Sequence, residues 1–274
     1  MEYEFLFLSC FVLSVTFAGF AQSFLGFGYA IVALSILQFF IDIQTANLVV
    51  SIGIVFPLLY MAWGIRGELE WEILRPALGG AAIGLPVGVS LFFYLDPLWL
   101  MRGTGATILV IACYGLISQR HDAERKTSSV WGVVAGLASG FLAGSVSIGG
   151  PPITAYAVSQ PWSARKYRAF LFSFALSVYL FKIMIMIAIG AVSANLFTKE
   201  ILFLSALAIP FGTFGAWLGI QMAKRVDSQR FKKIVLLSLA SVSILILMRD
   251  SKQTVNNSTA PQTTLSPLKQ SSQP

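Results

Sequence analysis

Ser145-Val146-Ser147-Ile148-Gly149-Gly150-Pro151-Pro152 interrupts an apolar stretch, 129–159, that is otherwise long enough to cross a lipid bilayer. Adjacent glycines and prolines end helices. In lipid, freed backbone N–H and C=O groups have no water to pair with, so such a break is tolerated only where it is buried or lines a cavity. An earlier stretch, 5–40, is too long for one span and is broken in the same way at Gly26-Phe27-Gly28. The chain therefore reads as helices, two of them interrupted inside a membrane.

The surrounding composition agrees. Of 274 residues, 56% are apolar and 11% are charged. A soluble domain carries about 25% charged residues. The mean hydropathy of +0.77 points to helical spans. Apolar runs at 5–40, 45–63, 73–95, 98–117, 129–159, 169–192, 200–222 and 234–248 alternate with short polar loops. Residues 249–274 are rich in Ser, Thr, Gln, Asn and Pro and read as a disordered polar tail. The N-terminus is acidic at Glu2 and Glu4 before it turns apolar, so the first run reads as part of the mature protein rather than a secretory signal.

Several chemistries are excluded. Cys10 and Cys113 both lie inside apolar runs, and His121 is the single histidine. A disulfide framework, a His-based metal site and a Ser-His-Asp triad each need more partners than these. No cofactor is expected, and the chain reads as no enzyme. The net charge of +7 comes from short basic loops, which in a membrane protein mark the cytoplasmic side rather than a nucleic-acid partner.

The two broken stretches resemble each other. Gly19-Phe20 aligns with Gly140-Phe141, Ala18 with Ser139 and Gly28 with Gly149, at one constant offset. Gly84, Gly88 and Asp96 align with Gly215, Gly219 and Asp227 at an offset about ten residues larger, as an insertion between repeats would give. The chain then divides into a first membrane repeat at 1–118, a cytoplasmic linker at 119–128, a second membrane repeat at 129–248 and the tail.

Charge sets the topology. If every run crosses once, Lys and Arg divide nine to nine between the two sides, with Lys182 set aside. If each broken run returns to the side it entered, the loops at 64–75, 118–128, 160–168 and 222–233 share one side with thirteen basic residues against five. Only the second arrangement obeys the positive-inside rule. It also inverts the second half relative to the first. The expected fold is an all-α polytopic membrane protein of two inverted structural repeats. Each repeat has a Gly/Pro-broken segment, re-entrant or hairpin, plus about three spanning helices, a recurrent transporter plan.

Candidate substrate-binding residues follow from the breaks. A half-helix that starts inside the membrane points partial positive charge into its cavity, which suits a small anion. Gly26, Gly28, Gly149, Gly150, Pro151 and Pro152 form the breaks, and Gln22, Ser23, Tyr29, Ser145, Ser147 and Tyr156 are polar neighbours. Small residues also line tight helix contacts in lipid, so the serines divide evenly between packing and ligand contact. Lys182 lies near the centre of run 169–192, the only charged residue so placed. A charge there usually faces a cavity or a partner. It reads as the attractor of an anion or a carrier of protons, against the plainer alternative of snorkelling. Arg165-Lys166-Tyr167-Arg168 reads as an inside-facing loop that anchors the topology. Gly84-x-x-x-Gly88 and Gly215-x-x-x-Gly219 read as helix-packing patterns.

The segment Ala18 to Ala30, with Gln22-Ser23-Phe24-Leu25-Gly26-Phe27-Gly28, and its later partner Gly140 to Pro152 resemble the repeated signatures of the sulfite exporter TauE/SafE family, also called the TSUP family of membrane permeases. The resemblance covers residues 5–248. It implies secondary transport of a small sulfur oxyanion or organosulfonate, sulfite or sulfoacetate for example, across a prokaryotic inner membrane. The expected partners are that anion, the bilayer and protons as a candidate coupling ion. An anion channel of the same fold and a non-transporting membrane scaffold are the competing readings.

Overall fold

The computed structural model describes residues 2–37, 39–41, 43–92, 129–192 and 198–225, with Leu237 and Ser241 besides. Every element among them is helical. Helix α1 spans Glu2–Leu25 and α2 spans Tyr29–Leu37. Helices α3 (Ile43–Gly53) and α4 (Val55–Gly64) follow, then a short 3-10 turn at Arg66–Glu68 and α5 at Trp71–Phe92. The second part holds α6 (Ser129–Val146), α7 (Gly150–Val158), α8 (Ala164–Val192) and α9 (Lys199–Ala223). Among the described residues, six stretches are long and apolar enough to cross a membrane, namely Leu6–Leu25, Thr45–Gly64, Trp71–Leu91, Ser129–Val146, Ala164–Ala188 and Lys199–Ala223. The runs at 98–117 and 234–248, the linker, the tail and the aligned Asp96 and Asp227 lie outside the described residues.

Three local features differ from the sequence reading. The gap after α6 is Ser147 to Gly149, and Pro151 and Pro152 open α7 rather than end a helix. Proline is at home in the first turn, where its missing N–H would have no partner anyway. The run at 45–63 is not one unbroken helix: Ile54 separates α3 from α4. Pro57 lacks the N–H that would bond the Gly53 carbonyl, and its ring crowds that carbonyl. The ladder resumes at once, with Leu58 N–H donating to Ile54 at 2.9 Å. Finally, Arg165-Lys166-Tyr167-Arg168 is no loop. It forms the first turn of α8, where its charges meet carboxylates, Arg165 with Glu68 at 3.7 Å and Lys166 with Glu70 at 2.6 Å.

In lipid, helices gain nothing from hiding apolar surface from water, so close packing has to bring them together. The two most extensive helix pairs are α5 with α6 and α1 with α9. Both are lined by glycines that let backbones touch. Gly84 lies against the Leu137 carbonyl and Gly88 against that of Phe141. Gly215 lies against the Thr16 carbonyl and Gly219 against that of Phe20. In each pair both residue numbers rise together, so the helices run parallel. The two pairs also correspond. Thr16 and Phe20 fall on Leu137 and Phe141 at the offset that aligns the breaks, and Gly84 and Gly88 fall on Gly215 and Gly219 at the second. Helix ends follow the first offset too, with Leu25, Tyr29 and Leu37 matching Val146, Gly150 and Val158.

Helix ends also gather. The ion pairs of Glu68 and Glu70 bring the start of α5 to the start of α8. Tyr167 on α8 donates to the Leu25 carbonyl at the end of α1, at 2.8 Å. Arg168 reaches the Ala223 carbonyl at the end of α9, at 3.5 Å. The helices α2 and α7, nine residues each, reach about 14 Å at 1.5 Å per residue and are too short to cross.

Candidate functional site

The two breaks meet. Phe27 of the first packs on Gly150 of the second, where an added Cβ would lie 2.6 Å from the phenylalanine Cβ. Beside this contact is a cavity walled by Gln22, Gly26 and Gly28, by Ser147, Gly149, Gly150 and Pro151, and by the α8 face that carries Leu171, Phe174, Val178 and Tyr179. Ala30 and Ile31 of α2 and Ile153 of α7 also line it. The first turns of both short helices therefore line one space. The room open to the centre of a water molecule is about 30 Å3, roughly two to three times what one water needs, ~10–15 Å3.

The second break is held by side chains. Ser147 has a left-handed backbone, φ 59°, which is unfavourable for a residue with a Cβ. Tyr179 donates to its carbonyl at 2.8 Å. The Ser147 hydroxyl contacts Asn47 Oδ1 at 2.9 Å and also the Lys182 ammonium nitrogen. Lys182 Nζ donates to Asn47 Oδ1 at 2.9 Å and is wholly shielded from solvent, at 0% exposure. Ser51 donates to the Asn47 carbonyl at 2.7 Å and sits 3.5 Å from Ser147 Oγ. Ser139, also on the cavity wall, donates to the Gly149 carbonyl.

The first break uses a different device. Gly26 and Gly28 take φ of 91° and 115°. Gly26 aligns with Ser147, so the left-handed residue recurs at the same place in both breaks. Gln22 spans the gap: its Nε2 donates to the Gly26 carbonyl and its Oε1 accepts from Tyr29 N–H, each at 3.2 Å. One amide side chain thus replaces two backbone partners that the interruption removes.

The other sequence-chosen residues are placed as follows. Ser23 is buried, donates to the Phe20 carbonyl at 3.0 Å and lies against Gly219 in the α1–α9 contact. Ser145 donates to the Phe141 carbonyl at 2.9 Å within its own helix. Tyr29 is buried with its hydroxyl against Gly53 and Gly212. Tyr156 packs edge-on against Trp162, and Pro152 is buried at the start of α7. These five are not on the cavity wall. Lys182 reaches the wall through Ser147.

Asn47, Ser51 and Tyr179 were not among the residues picked from the sequence. A signal existed for two of them. Asn47 is the one asparagine inside an apolar run, and an amide in lipid seeks a partner. Tyr179 stands three residues before Lys182, on the same helix face. Nothing in the sequence marked Ser51 above the other serines.

A family model described as "Sulfite exporter TauE/SafE" matches residues 11–246 of the chain. No curated protein and no solved structure matched it. The match takes in both breaks, both glycine-lined helix pairs and all six long apolar stretches but for the first few residues of the earliest. The chain is a multi-pass membrane protein, and it belongs to the sulfite exporter TauE/SafE family, which is a family of membrane permeases rather than enzymes.

Proposed function

We propose that the chain is a secondary transporter of a small anion, a sulfur oxyanion or organosulfonate, bound in the cavity between the two breaks. The observation that carries this reading is the meeting of two helix starts and one buried lysine around one cavity. The starts of α2 and α7 line it, and Lys182 stands behind Ser147 on its wall. Free N–H groups at a helix start favour negative charge. Pro151 and Pro152 have no N–H, so on α7 the donors are those of Gly149, Gly150 and Ile153. On α2 the Tyr29 N–H is engaged by Gln22, which leaves those of Gly28, Ala30 and Ile31. Glycine at 26, 28, 149 and 150 lets backbone approach an ion closely. The proposed ligand groups are these amides with Ser147, Gln22 and Lys182.

The architecture favours alternating access. Gathered helix ends support a topology in which α1 and α2 form one hairpin and α6 and α7 another. α5 and α6 run parallel, and α5 and α8 start together, so the run holding α6 and α7 returns to its own side. α9 ends beside the start of α8 and runs parallel to α1, while α4 ends where the 3-10 turn begins. The run holding α1 and α2 therefore also returns. Two such halves, inserted from opposite faces, would be the inverted repeats of a carrier. The excess of basic residues around the α5 and α8 starts supports a cytoplasmic position for them, and the inner membrane is the proposed location.

Uptake into liposomes tests the reading. With the purified chain reconstituted, uptake of labelled sulfite, sulfoacetate or sulfate should saturate with concentration. Linear, non-saturating flux would instead favour a channel. No flux of any of them would leave a scaffold.

A further inference from the structure

Lys182 is surrounded by groups that suit it in two protonation states. Asn47 Oδ1, 2.9 Å away, can only accept a hydrogen bond. The Ser147 hydroxyl, in contact with the same nitrogen, can accept or donate. An ammonium donates to both. A neutral amine donates to Asn47 and takes the Ser147 hydroxyl proton on its lone pair. Among the described residues, no carboxylate touches the site to hold it in one state. α3 contributes Asn47 and Ser51, the second break Ser147, and α8 the Tyr179 hydroxyl, which is engaged by the Ser147 carbonyl.

Charged and titratable groups on the other helices packed against α8 face elsewhere. Glu68 and Glu70 pair with Arg165 and Lys166 in its first turn. Arg66 stacks on Trp63, Glu72 lies in the first turn of α5, and Arg75 on α5 is exposed. Tyr60 on α4 is exposed, and Tyr156 on α7 packs against Trp162. All twelve acidic residues of the chain fall at or beyond the ends of apolar runs. An ammonium buried in this way is expensive unless an anion sits beside it, and a neutral amine is not.

We infer that Lys182 takes up one proton with each anion, so that the chain carries the two together. This rests on the reading of the cavity as the anion site. The nitrogen lone pair forms an N–H bond with a proton from a hydronium ion, whose O–H bond breaks to leave water. The ammonium and the anion then form the pair that crosses. On the far side the anion departs and the ammonium returns its proton to water. For a monoanion no net charge moves.

The test uses the full chain in proteoliposomes with labelled methanesulfonate and sulfoacetate, neither of which titrates near neutral pH. Accumulation of methanesulfonate should rise about tenfold for each pH unit by which the outside is more acidic, the ratio a one-to-one carrier reaches at equilibrium. A clamped membrane potential should leave that accumulation unchanged. Lys182→Arg fixes the positive charge, so whatever anion flux it retains should no longer respond to the pH gradient. In weak buffer the purified wild-type chain should take up a proton for each anion bound, a measurement that stands even where the variant fails to fold. Accumulation that follows the potential and ignores the pH gradient would overturn the coupling and leave the anion site intact. Absence of saturable binding or uptake of sulfite, sulfoacetate and methanesulfonate would overturn both.

Discussion

Ser147 concentrates the chemistry of the second break in one residue. Its left-handed backbone is unfavourable by about 1–2 kcal/mol for a residue with a Cβ, and its hydroxyl joins Lys182 to Asn47. Ser147→Ala loses the hydroxyl and keeps the strain, whereas Ser147→Gly loses both. The glycine variant should therefore be the more stable of the two by about 1 kcal/mol, read from thermal unfolding in detergent. An alanine variant as stable as the glycine one would show that the conformation carries no strain. Gln22 makes a parallel case. Gln22→Ala bares the Gly26 carbonyl and the Tyr29 N–H, and each unmade bond should cost about 1–3 kcal/mol. A midpoint equal to wild type would mean that water replaces the side chain. Lys182 was legible in the sequence because hydropathy isolates a lone charge. Its partners were not, because Asn47 lies 135 residues away and only the packed fold brings them together.

Elements are joined by glycines, and the joints make sharp tests. A Cβ on Gly84 would collide with the Leu137 carbonyl, and one on Gly215 with that of Thr16. These atoms are backbone and cannot step aside, so Gly84→Val and Gly215→Val should each disrupt their helix pair and lower stability by more than about 3 kcal/mol. Gly79 sits on the same helix as Gly84 with nothing within 4 Å of its added Cβ. Gly79→Ala should be neutral or stabilising by up to about 1 kcal/mol, as alanine favours a helix. Equal losses at 79 and 84 would mean that helix propensity, not contact, sets the outcome. The packing role of these glycines was readable from their spacing alone. The true start of α8 was not. Three basic residues mimic a loop by composition, yet Glu68 and Glu70, distant in sequence, neutralise two of them and let the helix begin earlier.

For the whole molecule, the charge count already favoured broken runs that return to their own side, and the gathered helix ends support the same topology. Cysteine labelling tests it. In a chain with Cys10 and Cys113 replaced by alanine, cysteines at Gly67 and Ser163 should react from one face of the membrane and a cysteine at Thr198 from the other. Labelling of 67 together with 198, with 163 on the opposite face, would mean that the run at 129–159 crosses once, and the inverted pairing would fall. The central claim is narrower: a small anion binds between two helix starts with Lys182 as its counter-charge. Calorimetric titration of sulfite into the purified chain and into Lys182→Met tests it most directly, with both proteins first shown to be equally helical and monodisperse. The account predicts saturable binding to the wild type and a loss of at least about tenfold in affinity, 1.4 kcal/mol or more, in the variant. Equal affinity in the two proteins would remove Lys182 from the site and contradict the account.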